Sequence, residues 1–94
     1  AEDPYKRKDY KEAVRWYRLS AEQGGPRVQY QLGLMYSKGL GVLQDSKEAH
    51  MRLNLSASNG DSRAVNERDR IENKMSPSQI EKAREMARNW KPKK

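Results

Sequence analysis

Residues 9–24 read DYKEAVRWYRLSAEQG, and residues 45–60 repeat this segment as DSKEAHMRLNLSASNG. Eight of the 16 aligned positions are identical, and each aligned pair is 36 residues apart. Two unrelated segments of ordinary composition would share roughly one identity. The chain therefore contains an internal repeat, and a repeat of this length is typical of helical solenoid proteins.

Both copies carry the signals that begin and end an α-helix. Asp9 and Asp45 stand at capping positions, and each is followed three residues later by a glutamate, Glu12 or Glu48, that can reach back to the cap amide. A glycine closes each copy, and glycine readily adopts the left-handed conformation that ends helices. Apolar residues recur every four positions and so share a face: Ala13, Tyr17 and Ala21, then Ala49, Leu53 and Ala57. The pattern predicts helices over about 9–23 and 45–59.

Another helix is predicted between the two copies. Pro26 suits a first helical position because proline has no amide to leave unpaired. Gly33 costs about 1 kcal/mol relative to alanine in a helix, so we expect a neighbouring helix to approach closely there. Gly39 and Gly41 then form a turn. The apolar stripe predicts a helix over about 26–38, and it consists of Val28, Leu32, Met35 and Tyr36.

The repeat register continues beyond residue 60 but turns partly polar. Met35 recurs as Ile71, whereas Tyr36 becomes Glu72. A unit with one apolar and one polar face is typical of the end of a repeat array. A last helix opens with a cap, an N1 proline and a glutamine in the segment Ser76-Pro77-Ser78-Gln79. Its predicted buried stripe consists of Ile80, Ala83, Ala87 and Trp90.

We therefore predict a single all-α domain over residues 1–94, an α/α helical-repeat solenoid with a C-terminal capping helix. Its parts are a half repeat (9–24), a full repeat (25–60), a degenerate capping repeat (61–74), the C-terminal capping helix (75–91) and a basic tail (92–94). No apolar run approaches the ~20 residues of a membrane span. The absence of cysteine excludes disulfides and thiol chemistry.

The second copy, with the segment before it, resembles a known family. The residues Leu32-Gly33-x-x-Tyr36-x-x-Gly39-x-Gly41-Val42-x-x-Asp45-x-x-x-Ala49, continuing to Ala57 and Gly60, are similar to the Sel-one-like repeat, a tetratricopeptide-related helix pair. The resemblance covers roughly residues 9–74, and residues 75–90 are similar to the closing helix of small bacterial members. It implies helix pairs stacked into a right-handed superhelix whose concave surface holds a partner protein.

The first unit departs from the family pattern. The segment Tyr5-Lys-Arg-Lys-Asp9 replaces the Gly-x-Gly-Val loop, and the first helix of the unit is missing or reduced to a few residues. Arg52 also stands where the first copy has Trp16. A missing helix would leave apolar surface around Trp16 and Tyr17, so we expect self-association or a longer parent chain to cover it.

Charge gives a second line of evidence about partners. The net charge of +7 and the pI near 9.8 favour acidic partners or a polyanionic surface. Basic and aromatic residues alternate in KRKDYKEAVRWYR, residues 6–18, as in some single-stranded nucleic-acid binders. The repeat register instead favours aromatic side chains packed in the core with lysines and arginines directed outward. The opening Ala-Glu is compatible with a cleaved secretory signal or with an arbitrary boundary, and we expect a periplasmic or secreted protein rather than a cytoplasmic one.

No residue pattern predicts catalysis, a cofactor or a metal. His50, the single histidine, has no second ligand at helical spacing and is expected to be exposed or half-buried. The Gly39-Leu40-Gly41 segment lacks the Gly-Lys-Ser/Thr ending of a phosphate-binding loop and is predicted to be a turn. Some proteins similar to this repeat have been assigned β-lactamase-type activity, but they carry paired cysteines in each unit. We therefore expect no enzymatic activity.

These features favour a non-enzymatic protein-interaction module, an adaptor or scaffold that binds a partner protein on its concave surface. The alternative is a basic helical protein that binds anionic surfaces or nucleic acid, with an affinity that falls steeply with salt. The predicted partner-binding residues lie on the first helix of each pair and are not needed for packing in our interpretation: Gln29, Tyr30, Ser37, Arg63, Asn66 and Arg70.

Overall fold

A computed structural model describes residues 7–92 and contains five α-helices over that range. They are α1 (Arg7–Ala21), α2 (Pro26–Lys38), α3 (Ser46–Ser58), α4 (Ser62–Glu72) and α5 (Pro77–Asn89). No strand occurs among these residues, which confirms the all-α class. None of the five helices is long and apolar enough to cross a membrane. Residues 1–6, including Tyr5, and the last two residues of the basic tail lie outside the described residues.

Two of the predicted helix starts are confirmed by their hydrogen bonds. Asp45 precedes α3, and its Oδ1 accepts hydrogen bonds from the backbone amides of Lys47 and Glu48. Ser76 precedes α5 and forms a complete capping box with Gln79. These contacts satisfy amides that the first turn of a helix cannot pair internally.

The predicted start of α1 is wrong. This helix begins at Arg7, so Asp9 lies inside it rather than at its N-cap. Lysine and arginine are good helix formers, and no glycine or proline between residues 5 and 9 stops the helix from extending. The glutamate half of the capping box predicted for α3 is also not formed. Instead, Glu48 Oε2 accepts a hydrogen bond from Arg52 Nε at 3.0 Å.

α3 lies at the centre of the fold. It packs against α2, α4 and α5, whereas α1 packs against α2. The predicted apolar stripe of α2 is part of a single hydrophobic core, and all five helices contribute side chains to it. The buried members of this core are Val14, Ala21, Leu32, Met35, Tyr36, Ala49, Leu53, Ala64, Ile71, Met75 and Ala83.

The close approach predicted at Gly33 is present between α2 and α3. A Cβ atom built on Gly33 would lie only 2.8 Å from Leu53 Cγ. The two helices run antiparallel, because Ser56 Oγ near the end of α3 donates a hydrogen bond to the carbonyl of Pro26 at the start of α2, at 2.7 Å. Glycine at this position lets the α2 backbone contact a fully buried leucine directly.

The aromatic side chains of α1 pack less completely than predicted. Tyr17 is half-buried against the core, while its counterpart Leu53 is fully buried. The exposed fraction of Trp16 is 64%, which agrees with the apolar surface expected around Trp16 and Tyr17 and makes the alternative, that the aromatic side chains pack in the core, wrong for this residue. The physical reason is the number of neighbours: α3 packs between α2 and α4, but no helix precedes α1 in the described range.

α5 returns the end of the chain to the turn between α1 and α2. A Cβ built on Gly24 would lie 3.7 Å from both Trp90 Cη2 and Pro92 Cγ. Gly24 itself has φ of 90°, the left-handed conformation predicted for the end of α1. Within the predicted stripe of α5, Ala83 is fully buried, and Trp90, like Ile80 and Ala87, is half-buried.

Candidate partner-binding surface

The outward faces of α2 and α4 form the candidate surface, because these two helices contact each other. Tyr30 and Ser37 on α2 are seven residues apart and share a helix face. Arg63, Asn66 and Arg70 share a face of α4 for the same reason. The three α4 residues are exposed, and the two α2 residues are half-buried. Five of the six predicted residues are therefore accessible to a partner.

Asp61 holds the side chain of Arg63 in place. As the N-cap residue of α4, Asp61 accepts a hydrogen bond from the Arg63 amide at 3.1 Å. The same carboxylate accepts hydrogen bonds from Arg63 Nε at 3.0 Å and from Nη2 at 2.7 Å. This bidentate hydrogen bond lowers the pKa of Asp61 and raises the pKa of Arg63. An exposed arginine thus has a defined orientation.

Arg63 also joins α4 to α2 through an aromatic ring. Its guanidinium carbon lies 4.2 Å from the centre of the Tyr30 ring, within the range of a cation–π contact. Arg27 lies nearby on α2, and its charge contributes to the lowered pKa of Asp61. Among residues 7–92, Arg27 has no ion-pair partner. The Tyr30–Arg63 pair is therefore flanked by an arginine that is free to bind an acidic group.

The remaining predicted residues are held less firmly. Arg70 lies 3.6 Å from Glu67, but its side chain is 71% exposed, and such pairs add little stability because water screens them. Neither Asn66 nor Ser37 makes a side-chain hydrogen bond to another residue in the described part of the chain. The side chains of Ser37, Asn66 and Arg70 therefore enlarge the candidate surface, but no strong contact holds them in one orientation.

Gln29 does not belong to this surface, and its prediction as a partner-binding residue is wrong. Its exposed fraction is zero. Its Nε2 donates a hydrogen bond to the carbonyl of Ala21 at 2.8 Å, and its Oε1 accepts one from Arg52 Nη1 at 3.1 Å. Gln29 is buried because it links α1, α2 and α3 with hydrogen bonds that satisfy its amide, as a buried polar side chain requires.

A match to a protein-family model agrees with this helical-repeat architecture. The Sel1 repeat family model matches residues 3–25 and 26–61, more than half of the chain. The chain belongs to the Sel1 repeat family. Sel1 repeats are generally protein-interaction modules. The second match spans α2 and α3, so this Sel1 unit is a complete helix pair, whereas the first match contributes α1 alone to the described residues. No curated protein matches the chain.

On α3, His50 forms a buried polar contact that the sequence did not predict. The expectation of an exposed or half-buried histidine is wrong, because its exposed fraction is zero. His50 Nε2 lies 2.6 Å from Glu72 Oε2, and Arg84 lies 3.8 Å from the same oxygen. The contact with His50 lowers the pKa of Glu72. In the 36-residue register, His50 corresponds to Val14 and Glu72 corresponds to Tyr36. A polar pair therefore occupies two positions that are apolar or aromatic in the previous unit.

Sequence reasoning missed two residues of the candidate surface. Asp61 positions Arg63, and the signal for it was present: an aspartate directly before a helical pattern is a capping candidate. Arg27 lines a shallow groove with Arg63, and it is the repeat counterpart of that residue. No group of three or more His, Asp or Glu side chains in the described range is placed to hold a metal ion.

Proposed function

We propose that this Sel1 repeat protein is a non-enzymatic adaptor that binds an acidic segment of a partner protein on the surface formed by α2 and α4. The observation that carries the proposal is the Tyr30–Arg63 contact, held by Asp61. Tyrosine and arginine are enriched among residues that dominate binding energy at protein interfaces. A side chain that is already ordered also loses less conformational entropy on binding.

The charge on this surface favours an acidic partner. Arg27 has no ion-pair partner in the described range, and Arg63 Nη1 has no acceptor there. Arg70 is exposed, and its only ion pair in the described range is with Glu67 at 3.6 Å. Carboxylates of a partner can therefore form charge-assisted hydrogen bonds without displacing a strong internal contact. A concave arrangement of the first helices, as the Sel1 family implies, would let an extended partner contact both α2 and α4.

The experiment is a pull-down with two charge-matched variants. Arg63→Glu with Arg70→Glu reverses the proposed surface, and Lys82→Glu with Arg88→Glu makes the same change in net charge on exposed positions of α5. We expect the wild type and the α5 variant to retain the same partner protein through a high-salt wash. The surface variant should lose that partner while its far-UV circular dichroism stays helical. Equal retention by both variants would contradict the proposal.

The alternative function, binding of nucleic acid or another polyanion through the net charge of +7, makes a different prediction in the same experiment. Charge-driven binding releases counterions and weakens steeply with salt. The two variants would then lose binding equally, since their net charges are the same, and the captured material would be removed by the high-salt wash. A periplasmic or secreted location remains our prediction, and fractionation of cells that express the protein tests it.

A further inference from the structure

The α3–α4 turn, residues 59–61, contains the single asparagine–glycine pair of the sequence, Asn59–Gly60. In the 36-residue register the first unit has Gln23–Gly24 at these positions. The backbone nitrogen that follows an asparagine can attack the asparagine side-chain amide through a five-membered ring, whereas a glutamine would require a less favourable six-membered ring. A glycine favours this attack because it has no side chain to crowd its nitrogen. The two units therefore differ in their chemistry at this turn.

The reaction consumes one water molecule and needs no oxidant or reductant. The Gly60 amide loses its proton to solvent base, and its nitrogen forms a bond to Asn59 Cγ. The bond between Cγ and Nδ2 then breaks, and Nδ2 takes a proton from solvent and leaves as ammonia. Water opens the resulting cyclic imide at one of its two carbonyl carbons and returns a proton to the nitrogen. Opening at Cγ gives aspartate, and opening at the backbone carbon gives isoaspartate, whose main chain runs through the former side chain.

The folded turn holds the two reacting groups apart. Asn59 has a ψ of 14°, so the Gly60 nitrogen points away from the asparagine side chain. The Gly60 amide donates a hydrogen bond to the carbonyl of Ala57 at 3.1 Å. Asn59 Nδ2, the leaving group, donates one to the carbonyl of Leu55 at 2.8 Å. The reaction therefore requires that the α3–α4 turn opens.

Opening of the turn breaks only local contacts. The hydrogen bonds that fix it join residues 55–61 to one another. Ser58, Asn59 and Gly60 are exposed, and a Cβ built on Gly60 would meet no atom within 4 Å. The backbone can therefore rotate at Asn59 without exposing the buried side chains of α3. Local openings of this kind require less free energy than global unfolding.

We propose that Asn59 is a site of spontaneous deamidation and that opening of the α3–α4 turn sets its rate. Each opening frees the Gly60 nitrogen and the Asn59 side chain from the end of α3. Loss of ammonia makes the step irreversible, so the converted fraction rises with the age of the protein. The first unit lacks this site because it has Gln23. The inference concerns this turn alone and does not rest on the function proposed for the candidate surface.

The products change the joint between α3 and α4. A carboxylate at position 59 places negative charge at the C-terminal end of α3, where the helix dipole is already negative. It also cannot donate a hydrogen bond to the Leu55 carbonyl. Isoaspartate adds a carbon to the main chain just before Asp61, the N-cap of α4. Because Asp61 orients Arg63, deamidation disturbs a contact of the candidate surface as well as the turn.

Peptide mapping by mass spectrometry tests the proposal on the full chain incubated at neutral pH. The measured quantity is the rate at which each asparagine amide is replaced by an acid. We expect the rate at Asn59 to be at least about tenfold lower in the native protein than in the chain unfolded in urea. Asn59→Gln restores the arrangement of the first unit and should show no conversion at position 59. In the native chain, Asn59 should be converted before the other asparagines, Asn54, Asn66, Asn73 and Asn89.

A second comparison separates opening of the turn from global unfolding. Ser76→Ala removes the N-cap of α5, on another helix, and should raise the population of globally unfolded chain about fivefold. A lower urea midpoint verifies this destabilisation. We expect Asn59 to be deamidated at the same rate in this variant as in the wild type, because the hydrogen bonds of the α3–α4 turn are unchanged.

Four outcomes would overturn the proposal. Equal rates in the native and unfolded chains would show that the folded turn does not control the reaction. No product at Asn59 in the native chain by the time the unfolded chain is fully converted would show that the turn does not open. Faster conversion of another asparagine in the native chain would place the site elsewhere. A rate about fivefold higher in Ser76→Ala would show that global unfolding exposes the pair.

Discussion

Replacement of Gly33 by alanine tests the closest contact between α2 and α3. The new Cβ would lie 2.8 Å from Leu53 Cγ and 2.9 Å from Leu53 Cδ2. Non-bonded carbon atoms prefer separations of about 3.5–4.0 Å, so the buried leucine must move. Overpacking of this kind costs about 1–3 kcal/mol, and the higher helix propensity of alanine offsets about 1 kcal/mol. We expect a net loss of about 1 kcal/mol in the free energy of unfolding.

The same substitution should have the opposite sign when Leu53 is alanine. Leu53→Ala alone should cost about 2–5 kcal/mol, but it removes Leu53 Cγ and Cδ2, which are the two atoms closest to the new Cβ, and leaves the Ala49 carbonyl oxygen at 3.4 Å. The helix-propensity gain then remains without the steric cost, so Gly33→Ala should stabilise the Leu53→Ala protein by up to about 1 kcal/mol. The coupling between the two positions is therefore expected to be about 2 kcal/mol.

Urea denaturation followed by far-UV circular dichroism measures all four proteins of this cycle. A domain of this size has a stability of about 5–14 kcal/mol, and subtracting a loss of about 2–5 kcal/mol leaves about 0–12 kcal/mol for Leu53→Ala, the least stable of the four. We expect similar denaturant slopes, so that the midpoints report stability directly. Gly33→Ala could instead change the free energy of unfolding by the same amount and sign in the wild type and in the Leu53→Ala protein. That result would show that the close contact with Leu53 is not the reason why glycine is required at position 33.

Two further substitutions test the polar contacts. The contact with His50 lowers the folded-state pKa of Glu72, so the stability it contributes is fully present above the unfolded pKa near 4.5 and is lost as the pH falls through the lower folded value. Thermal unfolding in acid should therefore depend less on pH in Glu72→Gln than in the wild type or in the control Glu81→Gln, and equal slopes would contradict this. Ser76→Ala removes the N-cap of α5 and should lower the free energy of unfolding in urea by about 1 kcal/mol. The control Ser58→Ala, at the exposed end of α3, should not lower it. Equal losses in the two variants would contradict a stabilising role of the Ser76 cap.

The helices were predictable because their signals are local. Asp45 and Ser76 mark helix starts through hydrogen bonds to amides two or three residues away, so their roles can be read from a short stretch of sequence. Gly33 was predictable for another reason: a glycine inside an apolar helical stripe has a cost that close packing explains. The 36-residue repeat then determined which helices pair.

The errors come from contacts between residues far apart in the chain. Gln29 and His50 are polar, and sequence reasoning placed them near the surface, but each has a partner on another helix that makes burial favourable. Trp16 is the opposite case, an apolar residue that no described helix covers; the repeat register alone favours burial there, whereas the departure of the first unit from the family pattern indicates the exposure that is observed. On the candidate surface, the contact of Tyr30 with Arg63 depends on the distance between α2 and α4, which helical periodicity does not specify.

The contact of Trp90 and Pro92 with Gly24 changes how the whole array can unfold. In a linear stack each repeat contacts only its neighbours, so the ends open independently and unfolding can proceed stepwise. Within residues 7–92, α5 packs on α3 and its end also covers the turn after α1, so the last described helix is joined to the first described helix. Opening either end exposes surface on the other, so the two ends belong to one cooperative unit and protect each other from local unfolding.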